Sequence, residues 1–168
     1  MKRTEWFKRS FPIIDDNGVL PDIIERLRGT PIRLEAMLSP LDNTMLTAKA
    51  EGKWSMKEQA GHLADMEPLW LGRLDDLAHG IPELREADLT NQRTHTANHN
   101  ATNLSELLQL FKVQRQQLVN RLLTLQDTQL LHVALHPRLK TPMRIIDLAY
   151  FVAEHDDHHL TSIREIMK

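Results

Sequence analysis

The stretch Tyr150-Phe-Val-Ala-Glu-His155-Asp-Asp-His158-His159-Leu-Thr-Ser-Ile-Arg164 carries apolar residues at a helical, not a strand, period. Extended on both sides, the stripe runs through Ile145, Leu148, Val152, Ile163 and Ile166. At about 100° per residue, His155 and His159 fall inside that stripe. Side chains four residues apart on a helix point the same way, one turn from each other. The sequence therefore turns two imidazoles towards a helical core, as a transition metal requires of one element. His158 falls at the edge of the stripe, and the His155/His158 pair is the competing, less aligned geometry. Asp157 points away, and Asp156 lies on the opposite flank.

A metal needs at least one more ligand, and His62 supplies a candidate within Gly52-Lys-Trp54-Ser55-Met-Lys-Glu58-Gln-Ala-Gly-His62-Leu-Ala-Asp65. Ser55 and Glu58 form a capping-box pattern that opens a helix there. Its stripe is His62, Leu63, Met66, Leu69, Trp70, Leu74 and Leu77, so His62 also faces inward. Pro68 predicts a bend. His79-Gly80 closes the helix, glycine being the usual C′ residue.

Two further helices complete the pattern. One opens at Leu20-Pro21-Asp22, with proline at the first helical position. Its stripe is Ile23, Ile24, Leu27, Leu34, Met37 and Leu38, with a kink or a break near Gly29-Thr30 predicted by Pro31 and an end at Ser39-Pro40. The other opens at Asn103, with Glu106 in a second capping-box position. Its stripe is Leu104, Leu107, Leu108, Phe111, Leu118, Leu122 and Leu125. Thr141-Pro142 reads as the N-cap and first residue of the helix that bears His155 and His159. Almost nothing reads as strand, which points to an all-α four-helix bundle. Residues 81–102 form a connection too long for a routine helix junction; such loops are usually functional or mobile.

The remaining histidines read as peripheral. His95 and His99 repeat the four-residue spacing in polar surroundings, which predicts a solvated loop from which His99 reaches the mouth of the site. His132 and His136 fall in an irregular segment. His136 precedes Pro137, which favours extended backbone, and both read as surface residues. His79 reads as a helix-end residue.

The 168 residues suit one domain with its own core. A net charge of -2 gives no basic field for nucleic acid or anionic lipid. No stretch reaches the apolar length of a membrane span. Met1-Lys-Arg-Thr-Glu-Trp-Phe-Lys-Arg-Ser10 has charges but no apolar run behind them, so it does not read as a secretory signal. Cysteine is absent, which excludes disulfides, a thiol nucleophile and a thiolate zinc site, and fits a cytoplasmic protein.

Gly52-Lys-Trp54-Ser55-x-x-Glu58-x-x-x-His62-Leu and Glu154-His155-Asp-Asp-His158-His159-Leu, in that order and with four helices around them, resemble the DinB/YfiT-like superfamily of small bacterial four-helix proteins. The resemblance covers nearly the whole chain. It implies an up-up-down-down bundle and a three-histidine metal site at His62, His155 and His159. It also implies a divalent transition metal, nickel or zinc, and a homodimer. Relatives include thiol S-transferases that use low-molecular-weight thiols such as bacillithiol or mycothiol, and a mycothiol-dependent maleylpyruvate isomerase.

Three imidazoles without a carboxylate leave coordination positions open, the mark of a catalytic rather than a structural site. The leading expectation is a metal-dependent thiol S-transferase acting on a small molecule. Metal-dependent hydrolysis and a metal- or ligand-binding stress protein without turnover are the alternatives. Glu58, Asp65 and Asp156 are candidates to orient the imidazoles. Trp70 and Tyr150 are candidates to line a pocket, though core packing suits Trp70 better.

Overall fold

The computed structural model describes residues 3–168; Met1 and Lys2, part of the N-terminal stretch read for a secretory signal, lie outside it. Helix α1 (Leu20–Leu38) is followed by the short α2 (Asn43–Thr47), then α3 (Met56–Ala78) and the short α4 (Gln92–Thr96). Helix α5 (Leu104–Leu123), a strand pair β1 (Ala134–Leu135) and β2 (Pro142–Met143), and α6 (Ile145–Ile166) complete the order. No helix among the described residues is long and apolar enough to cross a membrane.

The long helices form where the apolar stripes predict them. Helix α1 begins with Pro21 in its first turn and continues through Pro31, and α3 continues through Pro68. Ser55 and Glu58 make the reciprocal capping box that opens α3, which occupies Glu58 with the backbone and with Lys49. Gly80 follows α3 at φ +68°, a conformation that only glycine adopts without strain.

Two starts differ from the sequence reading. Asn103 caps α5 by accepting from the Ser105 N–H, and no capping bond from Glu106 forms. Thr141-Pro142 does not open α6. Pro142 and Met143 pair with Leu135 and Ala134, so the helix begins at Ile145 behind Arg144, whose N–H donates to Asp147. Strand pairing outcompetes the local proline signal.

Helices α1 and α3 each pack against α5 and α6. The order of the bundle follows from which ends meet. Arg26 of α1 bonds Glu154 and Asp157 of α6, Thr30 bonds Asp156 and Arg33 bonds Asp157, so α1 and α6 run parallel. Glu67 with Arg115 and Asp75 with Arg121 make α3 and α5 parallel. Gln59 with His159 and His62 with His155 make α3 and α6 antiparallel. The expected up-up-down-down order is therefore corrected to up-down-down-up. The reason is the connection after α3. It returns beside its own helix, with Arg85 on Asp76, Thr94 on Asp65 and Asn100 on Ser55, so α5 starts at the end where α3 started.

Two apolar clusters fill the ends of the bundle. One joins Leu27, Leu74, Leu118 and Val152, the other Leu34, Leu63, Phe111 and Leu160. Between them lies a polar belt. Arg115 is 1% exposed and ion-pairs with Glu67 and Asp156, which also accepts from Thr30. The same Arg115 donates to the Leu27 carbonyl. Asp156, read from the sequence as lying on an outer flank, is fully buried, because its partner comes from another helix. Burial pushes the Glu67 carboxyl upwards, whereas the two carboxylates hold Arg115 above its usual range despite its burial.

Candidate metal centre

The same level of the bundle carries the histidines. His62 on α3 and His155 and His159 on α6 are all buried, and one ring nitrogen of each lies within 4.8 Å of those of the others. The His155 Nε2 is 3.4 Å from the His62 Nε2 and 3.1 Å from the His159 Nε2. The stripes of α3 and α6 face each other here, which is why residues ninety positions apart converge.

Their tautomers follow from the other ring nitrogens. The Thr94 hydroxyl donates to Asp65 at 2.8 Å, which leaves its oxygen to accept from the His62 Nδ1–H at 3.0 Å. The His159 Nδ1–H donates to the Gln59 side-chain oxygen at 2.6 Å. His62 and His159 thus present Nε2 lone pairs to the common point, while the His155 Nδ1 is buried without a partner. Burial lowers His62 to about 4 and holds His155 and His159 well below the usual range, with the neighbouring imidazoles adding to the shift. All three are neutral at physiological pH.

The facing Nε2 lone pairs of His62 and His159 need a positive centre between them, and one N–H on His155 serves only one of the two, whereas a cation serves both. Nitrogens bound at about 2.05 Å to one tetrahedral ion stand about 3.3 Å apart, close to both observed spacings. The donor set therefore fits a divalent transition metal.

Residues around the cluster were partly missed by the sequence reading. Thr94 and Gln59, which fix the tautomers, carry no local signal. Asp65, a predicted orienting residue, acts through Thr94 and also accepts from the buried His99 at 2.8 Å. Burial works against the Asp65 carboxylate, but the bonds from His99 and Thr94 hold it below its usual range. His99 is thus corrected from a solvated loop residue to a buried partner of Asp65, whereas His95 is exposed. Glu58 is committed to its cap and Asp156 to Arg115, and neither hydrogen-bonds an imidazole. His158 stands beside the trio, half-buried against Trp6. His79 sits at the end of α3 as expected, and His132 donates to the Leu77 carbonyl there.

The imidazoles line a cavity of about 360 Å³. Its apolar walls are Trp6, Phe7, Trp54, Met66, Trp70 and Phe151, and its remaining lining includes Arg73, His136 and Arg138. Trp70 serves both the core and the cavity, with its ring edge-on to His155 at 5.3 Å between centroids. Tyr150 packs by Arg26 and lies outside the lining. His136 is corrected from a surface residue to a buried one, 2% exposed. It accepts from the Arg138 and Leu139 N–H groups and faces Arg73 from α3, a contact no local pattern reveals.

A sequence profile of the DinB superfamily matches residues 26–163. Among solved structures, the chain is similar to YfiT from Bacillus subtilis, described as a probable metal-dependent hydrolase with an unusual four-helix bundle topology. The TM-score is 0.80 at 21% identity, covering 94% of this chain and 91% of that one. It is also similar to a mycothiol-dependent maleylpyruvate isomerase, with a TM-score of 0.69 at 14% identity, covering 86% of this chain and 60% of the isomerase. A histidine-to-alanine mutant of that isomerase gives 0.68 at 13% identity. At these identities the likenesses speak for the fold alone. No curated protein matches the sequence.

Proposed function

From a chain that belongs to the DinB superfamily, and whose three inward imidazoles share one focal point, we propose a metal-dependent enzyme that acts on a small molecule, with His62, His155 and His159 as the ligands. The observation that carries the reading is the convergence of three buried imidazole Nε2 atoms, two of them in tautomers fixed from behind, at the wall of an aromatic cavity. A bound nickel or zinc ion would supply Lewis acidity and hold a thiol or water in deprotonated form at neutral pH.

The residues of the chain do the rest. Thr94 and Gln59 hold the rings in their orientation, and Asp65 and His99 hold Thr94. Trp54 covers His62 and His159, and Trp6 covers His155, which restricts water. Among the described residues, the carboxylates lining the cavity are Glu86 and Asp88, both exposed at its rim. A metal-held hydroxide needs no separate base, but a hydrolase of this kind still needs a proton donor for its leaving group, whereas transfer of a thiolate to an alkyl halide needs none. This supports a thiol S-transferase that uses a low-molecular-weight thiol. Hydrolysis is the second reading, and the likeness to YfiT supports it. The reading also takes the chain as one domain and the protein as a cytoplasmic homodimer, whose size light scattering measures.

The test is elemental analysis of protein purified without a histidine tag, beside a His155→Ala/His159→Ala variant. Near-stoichiometric metal, lost in the variant while the helical circular dichroism persists, is the expected result. The metal-loaded protein then transfers thiols to an alkyl halide or an epoxide. No bound metal after incubation with nickel or zinc overturns the reading; ester hydrolysis without thiol transfer moves the second reading to first.

A further inference from the structure

The cavity contains a charge arrangement that the metal ligands do not explain. Arg73 is 1% exposed, yet among the described residues it has no carboxylate partner. Its Nε donates to the Arg85 carbonyl and its Nη1 faces the His136 Nε2 at 3.0 Å. Arg138 also lacks a carboxylate, and its buried Nη2 has no hydrogen-bond partner. Burial and the like charges of Arg138 and Arg85 lower Arg73 to about 10, so it remains a guanidinium, and the nearby carboxylate, Asp76, is paired with Arg85 instead. A buried cation in this state is costly unless an anion joins it.

The protons on His136 sharpen the point. Its Nδ1 already accepts the Arg138 and Leu139 backbone N–H groups, at 3.2 and 3.1 Å. A neutral ring in that state carries its hydrogen on Nε2. The Nε2–H therefore meets an Arg73 N–H with no acceptor between them. Two donors aimed at each other mark the place of a missing acceptor. Among the described residues, five buried side-chain polar atoms have no partner, and four of them, on Trp70, Arg138, His155 and His158, belong to residues that line this cavity.

We propose that Arg73, Arg138 and His136 form an anion subsite that binds the carboxylate of an organic acid, whose apolar body lies along Trp6, Phe7 and Phe151. The proposal deepens the functional reading above, since it names the class of molecule that this cavity takes. Planar guanidinium forks match the two oxygens of a carboxylate. The acidic rim at Glu86 and Asp88 offsets the two arginines and disfavours a dianion such as a phosphate monoester.

All three tryptophans of the chain, Trp6, Trp54 and Trp70, line the cavity, so intrinsic fluorescence reports its occupancy. The experiment titrates 3-phenylpropionate, its neutral amide and phenyl phosphate into wild type, Arg138→Gln and His155→Ala/His159→Ala. Arg138 is half-buried at the cavity wall, so Arg138→Gln folds where an Arg73 variant risks failing. The expected result is that the carboxylate binds wild type about tenfold or more tighter than the amide, the scale of one charge-assisted hydrogen bond. Arg138→Gln abolishes that preference, and the double histidine variant keeps it whether or not the wild type holds metal. Equal binding of acid and amide, tighter binding of phenyl phosphate, or no binding of any probe overturns the inference. A preference lost in the histidine variant and retained in Arg138→Gln also overturns it, because the carboxylate then sits on the metal.

Discussion

Alanine at three helical glycines should give three different signs, and the difference comes from what each new methyl meets. At Gly29 of α1 the nearest side-chain atom is the Arg33 Nε at 3.9 Å, ordinary contact. Gly29→Ala should therefore gain only the helix propensity of alanine, about 0.5–1 kcal/mol. At Gly72 the methyl meets the Arg85 guanidinium at 2.1 Å, but this is the far end of a half-exposed side chain. It swings away and gives up its pair with Asp76, an exposed interaction of about 0.2–1 kcal/mol, so Gly72→Ala should be near neutral. At Gly61 the methyl meets the His99 ring at 2.3, 2.3 and 2.5 Å.

That ring cannot yield by a few tenths of an ångström. His99 is buried, bonded to Asp65 and held on the turn His99–Ala101. Its expulsion forfeits burial and a hydrogen bond to a carboxylate, about 2–4 kcal/mol together, against which the propensity gain is about 1 kcal/mol. Gly61→Ala should then lose about 1–3 kcal/mol net, or roughly 2–12 °C in Tm for a chain of this size. Urea unfolding at pH 7.5 and thermal melts on the three variants measure this. A Gly61→Ala protein as stable as Gly29→Ala would refute the buried placement of His99, and with it the support it lends Asp65.

Two other outcomes follow from the hydrogen bonds. Thr94→Val keeps the shape but leaves the His62 Nδ1–H without an acceptor, so affinity for nickel or zinc, read by competition with a chelator, should fall about 10–100-fold with little change in fold; unchanged affinity would show that Thr94 does not orient the ring. His136 is lowered to about 3 by burial and by the charges of Arg73 and Arg138, so the unfolded chain, titrating near 6.5, binds the proton first. Its contribution to stability is complete above pH 6.5 and declines by about 1.4 kcal/mol per pH unit as the pH falls from there towards 3. His136→Asn keeps an acceptor for the backbone N–H groups, and its urea midpoint should depend less steeply on pH between 7.5 and 5 than that of wild type; parallel slopes would reject the assignment.

The sequence carries the helices and the convergence of the three histidines in one signal, because both depend on which residues share a helix face. His62, His155 and His159 were legible since their stripes are apolar on both sides. Whatever depends on a partner from a distant helix was not legible. Asp156 falls outside the apolar stripe, so periodicity assigns it to an outer flank, yet Arg115 on α5 draws it fully inside. His136 follows the same logic with Arg73. Helix order escaped because amphipathicity fixes the buried face and says nothing of which end meets which. That information lies in the path of the loop after α3, whose contacts with Asp76, Asp65 and Ser55 are individually weak signals.

The belt and the histidines also constrain one another. Helix α6 presents Asp156 to Arg115 and His155 to α3 in consecutive positions, so the two demands fix its rotation about its own axis. Rotating it by one residue, about 100°, would take Asp156 away from the Arg115 and Thr30 donors that it accepts from and would turn both imidazoles off the focal point. An apolar core tolerates such slips better than a paired charge does, since breaking a buried pair costs about 3–5 kcal/mol. Replacing the triad by apolar residues of similar volume can leave stability unchanged, so its contribution lies in register. The belt holds the Nε2 atoms of His155 and His159 where the Nε2 of His62 meets them, and it does so with residues that need never touch a metal or a substrate.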